Sequence, residues 1–151
     1  MTRRPIALAT GVALLAEAAG VLLVHVALTA VLGSQRMSLA GLDPDAMIAG
    51  TWAMGGVLAA FLALSGVALL VLALRDRAPG RTLRLLLISC AITHGVLGAV
   101  TAALVGWGAF AFMMAMLALV VASLILYGPE AGEAPESGPG PEAAEPGAAP
   151  A

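Results

Sequence analysis

The sequence predicts an all-α membrane fold: a four-transmembrane-helix bundle with cytoplasmic termini and a disordered C-terminal tail. Three observations predict it. Of 151 residues, 61% are hydrophobic and 11% are charged, whereas a soluble domain carries roughly 25% charged residues on its solvated surface. The apolar residues run together in stretches long enough to cross a hydrocarbon core ~30 Å thick, which takes about 20 residues of helix. The basic residues are seven, all arginine, and they gather at alternate ends of those stretches.

The first span covers residues 6–32. Arg3 and Arg4 precede it, and Ala16-Glu17-Ala18 offers the pattern of a signal-peptide cleavage site. The apolar run continues unbroken through Leu32, however, so a retained helix is expected. The second span covers residues 44–74. Its start is written in the chain: Asp43 suits an N-cap, Pro44 the first helical position, and Asp45 the positive end of the helix dipole. Helix initiation therefore accounts for the two aspartates better than a cation site does.

From Leu83 to Tyr127 no charged residue interrupts except Arg84, a stretch too long for one crossing. It divides at Val105-Gly106-Trp107-Gly108, where glycine allows a tight turn, giving spans 83–105 and 108–127. Beyond Tyr127 the composition changes to Gly, Pro, Glu and Ala, with five glutamates and no large apolar side chain. Such a segment cannot bury enough surface to offset its ordering entropy, so residues 128–151 are expected to be a disordered acidic tail appended to a membrane domain of residues 1–127.

Orientation follows from the arginines. Arg3, Arg4, Arg75, Arg77, Arg81 and Arg84 lie on one side of this layout and only Arg36 on the other. The positive-inside rule makes the first side cytoplasmic. Trp52 and Trp107 then fall toward the outer interface and Tyr127 at the inner one. The partner this implies is the lipid bilayer itself, with Arg75, Arg77, Arg81 and Arg84 snorkelling to anionic headgroups. Nothing calls for nucleic acid.

Helices in lipid associate where small side chains let backbones approach. The clearest stripe is Ala91, Gly95, Ala99 and Ala103 in the third span, beside Gly98 and Ala102. Gly55, Ala59 and Ala63 mark the second span, and Ala111, Ala115 and Ser123 the fourth.

Few side chains offer chemistry. An ionisable group in a span costs roughly 2.5–3.5 kcal/mol to insert and commonly marks a relay or pathway. With each span centred in the bilayer and a rise of 1.5 Å per residue, Glu17 lies about 3 Å to the cytoplasmic side of the midplane, His94 at it, and His25 about 9 Å outward. Glu17 and His94 are thus the pair best matched in depth, with Ser65, Ser89 and Thr93 at middle levels as possible companions. An unpartnered carboxyl in hydrocarbon takes up a proton rather than stay charged. Glu17 therefore reads either as a neutral donor fixing helix register or, with a close partner, as a proton site.

The mismatch in depth between His25 and His94 argues against a bis-histidine haem, and Glu17, His25 and His94 lack a fourth ligand for zinc. Met113 and Met116 share a face that would suit Cu(I), but methionine is more often apolar filler. Cys90 stands alone in an apolar run, without the second cysteine that a disulfide or redox pair needs. No cofactor is expected. No phosphate-cradling loop, HExxH or GxSxG occurs, and the polar loops are too short for a catalytic domain.

The stretches "RMSLAGLDPDAM…GTW" and "HGVLGA…VGWGAFAFMM" resemble small four-helix integral membrane proteins of actinobacteria, over residues 6–127. That group has no assigned activity, so no catalytic residue carries over. The resemblance implies a four-span layout in a bacterial plasma membrane. The expected function is that of a non-enzymatic interaction or accessory subunit, associating with itself or with a larger membrane complex. The alternative is a small transporter or proton relay using Glu17 and His94.

Overall fold

Runs of Ala, Leu and Val leave the backbone one economical way to satisfy its own polar groups, which is an unbroken helix. In the computed structural model, the described residues are 3–35, 41, 43–75 and 79–127. Nearly all of them fall in four helices: α1 (Arg3–Gln35), α2 (Pro44–Arg75), α3 (Arg81–Leu104) and α4 (Trp107–Leu126). Each is long and apolar enough to cross a membrane. α1 exceeds its expected apolar span at both ends, because helical hydrogen bonding continues through flanking polar residues. The disorder expected of residues 128–151 and the lipid contact expected of Arg77 lie outside the described residues, as does Arg36.

α1 and α2 are the long pair, 33 and 32 residues, and α3 and α4 the short pair, 24 and 20. α1 lies along α2 and, on another flank, against α4. α4 packs on α3, while α2 and α3 meet over a shorter stretch. No Cα of α1 comes within 8 Å of a Cα of α3. Those two helices are therefore diagonal, and anything joining them crosses the middle of the bundle.

Backbone approach sets the α1–α2 seam. A Cβ added to Gly11 would lie 2.9 Å from the Gly66 carbonyl oxygen and 2.8 Å from Leu70 Cγ, and one added to Gly66 would lie 2.9 Å from the Gly11 carbonyl oxygen. Each glycine makes room for the other's backbone. Nearer the other end of the seam the His25 ring covers Gly55 and fills the space a side chain would need. Gly55 and Ala59 are buried and Ala63 is half-buried, so the α2 stripe does face into the bundle.

The α3 stripe does not. Leu87, Cys90, His94 and Gly98 are the buried line, while Ala91 and Gly95 are half-buried and Ala99 and Ala103 are exposed. The cause is local. His94 and Gly95 are neighbours and so point about 100° apart on a helix of 3.6 residues per turn. Turning the imidazole inward carries the Ala-Gly stripe off the seam.

The turns follow from their chemistry. Asp43 Oδ1 accepts the Asp45 N–H at 3.1 Å, and the Asp43 carbonyl accepts the Met47 N–H at 3.1 Å, which starts α2 at Pro44. Between α3 and α4 stand only Val105 and Gly106, whose N–H groups both donate to the Thr101 carbonyl at 2.9 Å. Gly106 has φ of 119°, a region that L side chains rarely enter. Gly108 belongs to α4, so a single glycine makes the turn. Arg3 stands over the Tyr127 ring with its guanidinium carbon 5.6 Å from the centroid. The start of α1 and the end of α4 therefore meet at one end of the bundle. Trp52 and Trp107 are exposed.

Candidate functional site

Glu17 reaches across the diagonal. Its Oε2 lies 2.9 Å from Nε2 of His94, and both side chains are enclosed, at 7% and 1% exposure. The helices supply this geometry from their period. Ala7, Thr10, Leu14 and Glu17 follow at intervals of three and four residues along α1, and Leu87, Cys90 (or Ala91) and His94 do the same along α3. Each charged or aromatic group thereby continues an apolar seam. Leu14, Leu87 and Cys90 are fully buried around them.

The tautomer is fixed by the backbone. His94 Nδ1 lies 2.8 Å from the Cys90 carbonyl oxygen, with Cys90 Sγ at 3.7 Å. A carbonyl oxygen only accepts, so Nδ1 carries a hydrogen and donates it. A neutral imidazole then presents a lone pair at Nε2. An ionised Glu17 facing that lone pair would be repelled, so the 2.9 Å contact contains a proton. It sits either on the carboxyl, donated to Nε2, or on Nε2, donated to the carboxylate. One hydrogen bond has two proton positions, a neutral pair and an ion pair.

The companions considered for this pair lie elsewhere. Ser65 is fully buried, but its hydroxyl donates to the Phe61 carbonyl at 2.9 Å on its own helix. Thr93 donates to the Ser89 carbonyl at 2.9 Å and faces a groove between α2 and α3. His25 donates from Nδ1 to the Val21 carbonyl at 2.8 Å. It shares with Glu17 the lining of a second groove, bordered by α1, α3 and α4. Met113 and Met116 line that groove too. Among the described residues no three His, Cys, Asp or Glu side chains gather as a metal-binding set.

A second polar junction escaped the sequence reading. Thr10 of α1 and Ser123 of α4 are buried, with their hydroxyl oxygens 3.2 Å apart. Thr10 donates to the Ile6 carbonyl at 2.8 Å on its own helix and accepts from Ser123, whose single hydroxyl hydrogen is shared between Thr10 Oγ1 and the Leu119 carbonyl at 2.9 Å. The available signal was spacing, since Thr10 precedes Glu17 by seven residues, two turns along the same face.

Fold and site together define a chain whose described residues form four helices of membrane-spanning dimensions and one enclosed carboxyl–imidazole pair. No family model, curated protein or solved structure matches it.

Proposed function

We propose that this chain is a non-enzymatic integral membrane protein, with both ends of its helical body on the cytoplasmic face, in which the Glu17–His94 pair takes up and releases a proton. The carrying observation is the 2.9 Å contact across the bundle diagonal, whose proton has two places to sit. Ionisable groups at membrane depth commonly belong to ion or proton pathways, and here the donor and the acceptor are already in hydrogen-bond range, as proton transfer requires. A small transporter or relay is the function that uses such a pair.

Infrared difference spectroscopy of the protein in lipid tests this. The expected result is a carboxyl band that responds to pH, is missing in Glu17→Gln, and moves in His94→Ala. A band that stays protonated far into the alkaline range, indifferent to His94, would make Glu17 a fixed donor holding the helices in register.

An accessory or self-associating subunit is the second reading, and one observation favours it. The outward α3 line includes exposed Ala99 and Ala103, together with Gly95, where an added Cβ would meet nothing within 4 Å. Small residues facing outward suit helix contact with another chain. Ala99→Cys should then form crosslinks in native membranes, and recovery of monomer alone would count against this reading.

A further inference from the structure

The groove beside Glu17 has a volume of about 690 Å³, within the range of small-molecule sites, roughly 300–1,000 Å³. Phe112, Met113 and Met116 supply part of an almost wholly apolar lining, in which Glu17, His25 and Thr101 are the residues that carry polar side-chain atoms. The hydrogen bonds already made determine what those atoms can still do. Glu17 uses Oε2 on His94, and no described residue bonds its Oε1. His25 gives its Nδ1 hydrogen to Val21, so the neutral ring keeps an acceptor at Nε2. Thr101 gives its hydroxyl hydrogen to the Gly98 carbonyl at 3.0 Å, leaving lone pairs. All three remaining functions are acceptors, and no arginine lines the groove.

A ligand suited to it is a donor with an apolar body and positive charge. We propose that the groove binds a lipophilic primary or secondary ammonium ion, which takes the place of the shared proton at Glu17. This rests on the proton-site reading and names the species exchanged. The exchange balances. The ammonium and the protonated Glu17–His94 pair together carry one positive charge; the products are an ammonium–carboxylate pair, whose carboxylate turns from the bare Nε2 lone pair toward the ammonium, a neutral His94 and one released proton. The groups that face Glu17 are few. α3 contributes His94, with Cys90 behind it, and α1 contributes His25. α4 has no ionisable residue, and those of α2, Asp45 and Arg75, stand at its ends.

The test uses the full chain in nanodiscs of zwitterionic lipid, labelled at the methionine methyls and titrated with hexylammonium. The methyl resonances of Met113 and Met116 should shift saturably. Met54, 69% exposed on α2, lines the separate groove between α2 and α3, so its shifts report partition into lipid or binding away from Glu17. Glu17→Gln should weaken binding roughly tenfold or more, as expected for loss of a charge-assisted hydrogen bond. Because that variant also disturbs the pair, Ala16→Phe gives a second check. Ala16 is an exposed wall of the same groove, and the added ring should abolish binding with the carboxyl band unchanged. A pH dye should record proton release on hexylammonium binding.

Several results would overturn the proposal: equal saturable shifts with hexanol, uniform unsaturable shifts at all three methionines, unaltered binding in Ala16→Phe, or binding without proton release. If the carboxyl band still responds to pH in any of these cases, the proton site stands and only the ammonium inference falls. A band that does not respond removes both.

Discussion

The helices within each pair meet differently from the pairs themselves. α1 and α2 close on each other through Gly11 and Gly66, each facing the other's backbone, and α3 accepts the Met114 methyl of α4 at Gly98. Between the pairs an apolar core is bridged by polar contacts, Glu17 to His94 and Thr10 to Ser123, with Arg3 over the Tyr127 ring at one end. Close backbone approach draws on dispersion and is lost when any side chain intrudes. Interhelical hydrogen bonds in membranes are modest, about 0.6 kcal/mol on average and up to ~1.7. Shape thus dominates the contact within the long pair, while between the pairs individually modest polar bonds add to the shared apolar core.

The largest expected effect lies in the shape-based seam. Gly66→Val places a branched side chain against the Gly11 carbonyl, which cannot move aside, and should cost ~3 kcal/mol, the upper end of ordinary overpacking. Unfolding in mixed micelles would read it; an unchanged midpoint would mean that the two glycines do not meet. The turn of the short pair comes next. Gly106→Ala should cost ~2 kcal/mol from backbone strain, while Gly108→Ala, inside α4, should be neutral or stabilising by up to ~1 kcal/mol. Equal effects at the two positions would displace the turn.

Double-mutant cycles compare the two polar junctions. Glu17→Gln with His94→Ala should show a coupling of ~1–2 kcal/mol, at the top of the interhelical range. Thr10→Val with Ser123→Ala should show ~0.6 kcal/mol or less, because both hydroxyls also bond their own helices. A larger coupling at Thr10 would reverse the ranking of the junctions.

The number of helices, a turn within Val105–Gly108 and the cap at Asp43 were legible in the sequence, since length, glycine and aspartate act locally, although Trp107 and Gly108 belong to α4 rather than to the turn. The shared level of Glu17 and His94 was legible as well, because depth follows from counting residues. Rotation about the helix axis was not. A helix that is apolar all round carries no polar face to orient it, so the Ala91-Gly95-Ala99-Ala103 stripe looked as good a seam as the one beside it. The same ambiguity affected the companions of Glu17. Ser65 and Thr93 lie at a suitable level, but a hydroxyl in a helix readily bonds the carbonyl four residues back. His25 was visible as a polar residue, whereas its packing over Gly55 depends on how α1 and α2 cross.

The bond between Glu17 and His94 spans 77 residues of chain, and that separation is also an interval of time. A ribosome adding ~5–20 residues per second finishes α1 several seconds before α3 exists. Through that interval the nascent chain carries the Glu17 carboxyl without the imidazole it meets in the folded bundle. Until then α1 has α2 beside it, joined at Gly11 and Gly66. α3 and α4, linked by two residues, arrive as a unit. Their entry completes the pair, making the Glu17–His94 contact a late event in the biogenesis of the bundle.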